Sequence, residues 1–343
     1  MIKNVAVFVV TITALLFITG CPPKKTRSVT PAHTVAKKAQ PNKLKPANAE
    51  PNAARPILQA AKPVEPNTIK TDVSEPNAGR GLSKLSFSDK CASILSTYVS
   101  STGTVDYKNL KRKKQDLIQT LNEFRTLDPN IYNSWHREDK IAFWINAYNL
   151  QMLKIITDNY PIESARVNRL WWPLNSIRHI PPSEVVGTAK WDSCKFIVMD
   201  EEFTLSEIEK RFFIKEFDEP RAFLAVSYAS VSGPPLRNVP YSGLSLNQQL
   251  DDQVKRFLTT SRYALEIDKQ GQMVYLSAIF DATWHGDSFI SKYGTDKKFK
   301  EQPPAIRAVL NFIIGYIPKQ DVDFLEVGNY SVKYINYDWR LNE

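Results

Sequence analysis

Apolar residues recur every three or four positions in several stretches of the chain, a spacing that predicts helices with one buried face. The strongest repeat predicts a helix over residues 135–159, ended by Tyr160-Pro161. Weaker repeats predict a first helix over residues 86–100 and a second over residues 110–124. The buried stripe of the strongest helix comprises Ile141, Trp144, Ile145, Tyr148, Met152, Ile155 and Ile156.

Helix-start signals mark three further helices. Thr204 and Glu207 have capping-box spacing, which predicts a helix from there to about residue 215. Ser245 and Gln248 repeat that spacing and predict a helix through residue 258. The Pro303-Pro304 pair predicts the start of a helix through residue 316.

Runs rich in β-branched and aromatic residues predict strands, and two glycine-containing turns predict hairpins. Single strands are predicted at residues 194–199 and, fully buried, at 221–227; hairpins are predicted for 263–267 with 273–277 and for 323–327 with 330–334. These strands alternate with helices without a regular β-α-β order. The sequence therefore predicts an α+β fold, with a helical N-terminal part and a mixed or antiparallel sheet.

The composition changes sharply near residue 80. Residues 22–80 hold 10 of the 22 prolines and no Phe, Trp or Tyr, so this segment has little apolar surface to bury. Such a composition predicts a disordered tether that precedes a single globular domain at residues 81–343. The tether also carries +7 of the net charge of +9, which leaves about +1 for residues 81–343 after Lys3 is counted. This distribution favours contact of the tail with anionic lipid or cell-wall polymer and argues against nucleic-acid binding.

The first 20 residues have the pattern of a lipoprotein signal peptide. Lys3 is followed by an apolar stretch too short to span a membrane comfortably, and Ile18-Thr19-Gly20-Cys21 matches a lipobox. We therefore expect acylation of Cys21 and a membrane-anchored lipoprotein of the cell envelope. If the cell has an outer membrane, Pro22 after the cysteine predicts sorting to it, facing the periplasm. An ordinary secretory signal with an incidental cysteine is the alternative.

Two cysteines remain beyond the signal, Cys91 and Cys194. An exported compartment permits a disulfide bond between them. Cys91 lies at an apolar helical position, however, so two buried thiols are the alternative. The sequence leaves both open.

Three segments together resemble a bacterial family of unknown function, DUF547. They are AFWINAYN at residues 142–149, SVSGPPLR at 230–237 and NYDWRLN at 336–342. The resemblance spans about residues 82–343 and implies a shared fold with a cleft, but no established reaction.

The departures from the family pattern bear on chemistry. Where the family usually has two cysteines, this chain has Tyr228 and Gly233; where it commonly has histidines, this chain has Phe223 and Lys210. A Cys/His pair is what nucleophilic hydrolysis or soft-metal binding requires. The resemblance therefore implies a divergent member without thiol chemistry, and we expect neither a metal nor a cofactor.

The candidate binding residues lie around these segments. Asn146 and Asn149 either line a cleft or bridge buried backbone groups. Arg221 and Arg237 either bind an anion or form structural salt bridges. The full candidate set is Trp144, Asn146, Asn149, Arg221, Ser230, Ser232, Arg237 and Tyr241.

His285 and Asp287 are weak candidates for an acid/base pair within the polar stretch 281–287, which otherwise reads as a turn-rich loop. We therefore expect a non-catalytic binding or scaffolding module with an envelope polymer or protein partner. The alternatives are a hydrolase-like enzyme that acts on an envelope polymer or peptide, and a purely structural envelope protein.

Overall fold

The computed structural model describes residues 81–163, 172–180 and 194–343. The predicted signal peptide, Cys21 and the predicted tether lie outside these residues. No helix in the described ranges combines the length and the apolar character needed to cross a bilayer.

The N-terminal part is helical, as predicted. It consists of α1 (Gly81–Tyr98), α2 (Tyr107–Arg112), α3 (Gln115–Thr126), α4 (Pro129–Asn133) and α5 (Arg137–Asn159). The single helix predicted over residues 110–124 is in fact two helices. The break falls at Lys113, which ends α2 with non-helical dihedrals of φ −122° and ψ 36°.

Helix α5 lies at the centre of the core. Its predicted stripe is buried, with Ile141, Trp144 and Tyr148 each 0% exposed. The burial extends beyond that stripe, because Phe143 and Leu150 on other sides of the helix are buried as well. A helix buried all round needs neighbours on every side. Its neighbours include α2, α3 and the segments that follow residue 204.

A short two-stranded sheet follows, with β1 (Phe196–Val198) antiparallel to β2 (Glu201–Phe203). Thr204 then caps α6 (Leu205–Ile208), which continues as a π-helical segment, Glu209–Glu216. The predicted capping box is confirmed, since the Glu207 N–H donates to Thr204 Oγ1 at 3.2 Å and the Thr204 N–H donates to Glu207 Oε2 at 2.6 Å.

Two predictions in the next region are wrong in part. Residues 222–227 are buried as predicted and Arg221 is half-buried, but the segment contains a helical turn, α7 (Ala222–Ala225), instead of a strand. A short apolar run has no periodicity that separates a strand from a buried helical turn. Helix α8 (Leu246–Thr260) was predicted, but the Ser245 side chain does not cap it, because a 3₁₀ turn, Gly243–Ser245, leads directly into the helix.

The C-terminal part contains a three-stranded mixed sheet. β3 (Leu265–Asp268) and β4 (Met273–Ser277) form the predicted antiparallel hairpin. After α9 (Ala282–Tyr293), α10 (Pro304–Ile313) and α11 (Lys319–Val327), the last strand β5 (Ser331–Ile335) pairs parallel to β4. The predicted second hairpin is therefore wrong, because its first half is the end of α11. The fold is α+β.

Cys91 and Cys194 are not joined by a disulfide bond. Cys91 is buried in α1, and burial raises the pKa of its thiol to about 12. A thiol with so high a pKa is protonated and unreactive at neutral pH.

Candidate functional site

Asn149 of α5 holds the start of the segment 225–241. Its Nδ2 donates to the Ala225 carbonyl at 3.0 Å, and its Oδ1 accepts from the Ser227 N–H at 2.7 Å. The asparagine is 2% exposed. The Asn149 amide therefore satisfies two buried backbone groups. Of the two roles expected for it from the sequence, this is the bridging one.

Asn146, one turn earlier, holds the other end of the same segment. Its Nδ2 donates to the Tyr241 carbonyl at 2.8 Å, and its Oδ1 accepts from the Tyr241 N–H at 2.9 Å. The two amides of the 142–149 motif therefore fix both ends of the segment 225–241 on α5.

The C-terminal motif fixes the middle of that segment. Ser230 Oγ lies 2.6 Å from Tyr337 Oη, and Ser232 Oγ accepts from the Asp338 N–H at 2.8 Å. The Val231 N–H donates to the Arg340 carbonyl at 2.8 Å. Both serines are buried, and their hydroxyls join segments that are distant in sequence. All three segments that carry the family resemblance thus form one connected framework.

Arg221 has the structural salt bridge considered for it. It pairs with Glu219 at 2.7 Å and with Asp251 at 2.7 Å, and it donates to Asn247 Oδ1 at 2.9 Å. These hydrogen bonds, Glu219 first, raise its pKa above the usual value. With two carboxylates already at the guanidinium, Arg221 has little capacity left for an anionic ligand.

Trp144 lies in the core and not at a surface. Its indole Nε1 donates to Tyr132 Oη at 2.8 Å, and its ring stacks on Phe212 with centroids 3.7 Å apart. It is 0% exposed, so a partner cannot contact it directly. The expectation that Trp144 contributes contact surface is wrong for this reason.

The four positions that the sequence marks as departures from the family pattern, Tyr228, Gly233, Phe223 and Lys210, have different surroundings. Tyr228 and Phe223 are buried, whereas Lys210 is exposed. Burial, with a smaller contribution from the charge of Glu209, raises the pKa of Tyr228 well above its usual value. A side chain added at Gly233 would place its Cβ 3.1 Å from Ser230 Oγ.

His285 and Asp287 lie in helix α9, where a loop was expected. Positions two residues apart on a helix do not face each other. The helical backbone therefore argues against residues 285 and 287 as an acid/base pair. Asp287 is exposed, and the side chain of residue 285 is outside the described part of the structure.

A groove lined by aromatic rings opens beside the N-terminal end of α5. Its volume is about 410 Å³. Phe143 is central among these rings, with centroids 4.9 Å from Phe124 and 5.5 Å from Trp135. We call it the aromatic groove; its lining includes Phe87, Phe124, Trp135, Phe143, Tyr241 and Leu244.

The 3₁₀ turn after Tyr241 closes one side of the aromatic groove. Leu244 in this turn is fully exposed, although it is a large apolar side chain. Gly243 permits the close packing of the turn on α5, because a Cβ there would lie 2.8 Å from the Asp139 backbone nitrogen. Sequence reasoning identified Asn146 and Tyr241 but missed Leu244. The only signal was an isolated glycine-leucine pair without periodicity.

Arg237 lies next to Tyr241, with its guanidinium carbon 5.7 Å from the centre of the ring. Unlike Arg221, it has no carboxylate partner among the described residues. Its Nε is buried without a hydrogen-bond partner there, and so is Tyr241 Oη.

Comparison with known proteins recognises the part of the chain that contains α5 and the segment 225–241. Residues 132–258 match the family model described as "Protein of unknown function, DUF547". This range includes the 142–149 and 230–237 motifs and supports the resemblance there, whereas the 336–342 motif lies beyond it. The comparisons with curated proteins and with solved structures found no match.

Proposed function

We propose that the domain is a non-catalytic binding module that holds an apolar segment of a partner in the aromatic groove. The observation that carries this proposal is the exposure of Leu244 beside a concave, ring-lined surface. Grooves of this size and lining are typical of ligand sites. Burial of an exposed leucine contributes roughly 1.5–3 kcal/mol, so an apolar partner gains free energy by covering it.

The hydrogen bonds made by the polar candidate residues support binding over hydrolysis. Asn146, Asn149, Ser230 and Ser232 are all engaged in holding backbone or neighbouring segments. Tyr228 occupies the position where the family commonly has a cysteine. These residues build the framework that sets the shape of the groove.

We extend the proposal to the location of the module. Acylation at Cys21 would anchor the chain in the cell envelope, facing the periplasm if the cell has an outer membrane. The partner would then be an envelope protein or polymer that presents an apolar segment. The lipobox at residues 18–21 supports this part of the proposal.

Binding of the neutral fluorescent probe N-phenyl-1-naphthylamine to the full-length protein tests the groove. Leu244→Asp should weaken binding at least about tenfold, since it removes an apolar contact and places a charge beside the rings. Val327→Asp is the matched control, because Val327 is also exposed, at 89%, but lies outside the aromatic groove. Equal binding by both variants would contradict the proposal.

A further inference from the structure

Two arginines lie beside Tyr241 without a carboxylate partner in the described part of the chain. Arg211, Arg221 and Arg340 each pair with an acidic residue. Arg237 and Arg256 have no such pair among the described residues, and both are half-buried. A positive charge that is partly withdrawn from water is stabilised by a nearby anion, because removing it from water is costly.

Arg237 and Arg256 are near enough for their charges to act on each other. The Arg256 Nη2 donates to the Ser101 carbonyl, which fixes its side chain. Burial, followed by the charge of Arg237, lowers the pKa of Arg256. The charges of both arginines also act on Tyr241. Their mutual repulsion destabilises the free protein and would be offset by a bound anion.

Two hydrogen-bond donors at this place have no protein partner among the described residues. Tyr241 Oη and Arg237 Nε are buried and unpaired, and Tyr241 is 3% exposed. A buried donor without a partner has lost its hydrogen bonds to water, so an acceptor that binds there stabilises the protein. A hydroxyl and a guanidinium are the donors that commonly bind oxyanions, and the guanidinium can do so in a bidentate manner.

We propose that Arg237, Arg256 and Tyr241 form a binding site for an oxyanion, namely a carboxylate or a phosphate group. The site adjoins the aromatic groove, which Tyr241 also lines, but anion binding does not require an apolar partner in that groove. The guanidinium groups supply the charge complementarity, and the Tyr241 hydroxyl donates the remaining hydrogen bond. Arg221, the other arginine considered for an anion, is excluded by its two carboxylate partners.

Thermal unfolding of the full-length protein tests this site. Inorganic phosphate and acetate are each titrated at constant pH and ionic strength, with chloride as the reference salt. We expect a saturable rise in the unfolding temperature with at least one of the two anions, since a ligand that binds the native state stabilises it. Phosphate alone, acetate alone or both would identify which oxyanion the site accepts. A rise no larger than that with chloride would overturn the proposal.

Variants of the three residues test whether the anion-dependent rise in unfolding temperature arises at this site. Arg237→Gln and Arg256→Gln should each abolish the anion-dependent rise, whereas Lys255→Gln, with the same loss of charge on α8, should retain it. Tyr241→Phe removes a hydroxyl that has no protein partner, so it should fold normally and weaken anion binding about fivefold. An unchanged anion affinity in Tyr241→Phe and Arg237→Gln would overturn the proposal. Probe binding to the aromatic groove should persist in Arg237→Gln, which separates the two sites.

Discussion

Two amide side chains of α5 form hydrogen bonds with the backbone at both ends of the segment 225–241. Asn146 and Asn149 each satisfy one buried N–H and one buried C=O group. Removal of either amide leaves two buried polar groups without partners, which is more costly than the loss of an ordinary surface hydrogen bond. The stability of this segment therefore depends on single residues.

Asn149→Ala should lower the free energy of unfolding by about 2–4 kcal/mol, because Ala225 O and Ser227 N–H both lose their partner. Urea unfolding followed by tryptophan fluorescence measures the change. Asn122→Ala, at an exposed position of α3, should change it by less than about 0.5 kcal/mol. Similar losses for both variants would show that the amide of Asn149 is not structural.

Asp338 links stability to pH. Hydrogen bonds from Arg340, then from Tyr263, lower the pKa of this carboxyl to about 2. An unfolded aspartate has a pKa of about 3.9. Because the folded pKa is the lower one, the stabilisation is complete above about pH 4 and is lost as the pH falls towards 2.

Asp338→Asn should therefore lower the free energy of unfolding at pH 7 by about 1 kcal/mol after allowance for solvent screening. It should also flatten the dependence of stability on pH between about 4 and 2. Urea unfolding at several pH values measures both effects. A wild-type slope retained in full by the variant would assign the acid sensitivity to other carboxyls.

For single residues, the sequence indicated which side chains have a specific role but not which residues they contact. Ser232 was a candidate because its hydroxyl lies near a turn, yet it accepts a hydrogen bond from Asp338, 106 positions later in the chain. Trp144 was a candidate for contact surface, yet it is enclosed by neighbours from other helices. Local spacing carries no information on such long-range partners.

The helices and strands with clear periodicity were predictable, and the errors fall where the pattern is short. The buried stripe predicted α5, and the Thr204–Glu207 spacing predicted the start of α6. Residues 221–227 are apolar over too few positions to reveal a helical turn. Gly328-Asn329 resembles a hairpin turn, but β5 pairs in parallel with β4, more than 50 residues earlier in the chain.

The 3₁₀ turn at residues 243–245 should tolerate no side chain at its first position. Gly243→Ala should cost about 1–3 kcal/mol and weaken probe binding to the aromatic groove, since the added Cβ meets Asp139. Gly315→Ala is the matched control, because a Cβ there meets nothing within 4 Å. Urea unfolding and probe titration measure the two effects. Full probe affinity in Gly243→Ala would mean that the turn does not shape the groove.

The α+β class of the whole molecule followed from the mixture of helices and strands, but the aromatic groove did not. Its lining comes from α1, α3, residues 135–136, α5 and the segment 241–244, several of which are far apart in sequence. No local pattern predicts that these elements meet. The groove was therefore visible only in the folded structure.

The proposed envelope location also concerns the whole molecule. Cys21→Ser should abolish incorporation of labelled fatty acid and release the protein from the membrane fraction, since an acylated cysteine is the proposed anchor. Metabolic labelling and cell fractionation measure these changes. Cys194→Ser is the control and should leave both unchanged. Membrane retention of Cys21→Ser, with no label on the wild type, would contradict lipid anchoring.

The most direct test of the binding module is site-specific photo-crosslinking in intact cells. A photoreactive amino acid at position 244 should give a discrete adduct with an envelope component, because an occupied aromatic groove brings the partner against Leu244. The same amino acid at position 327, also exposed but outside the groove, should give none. No adduct at 244, or the same adduct at both positions, would contradict the account.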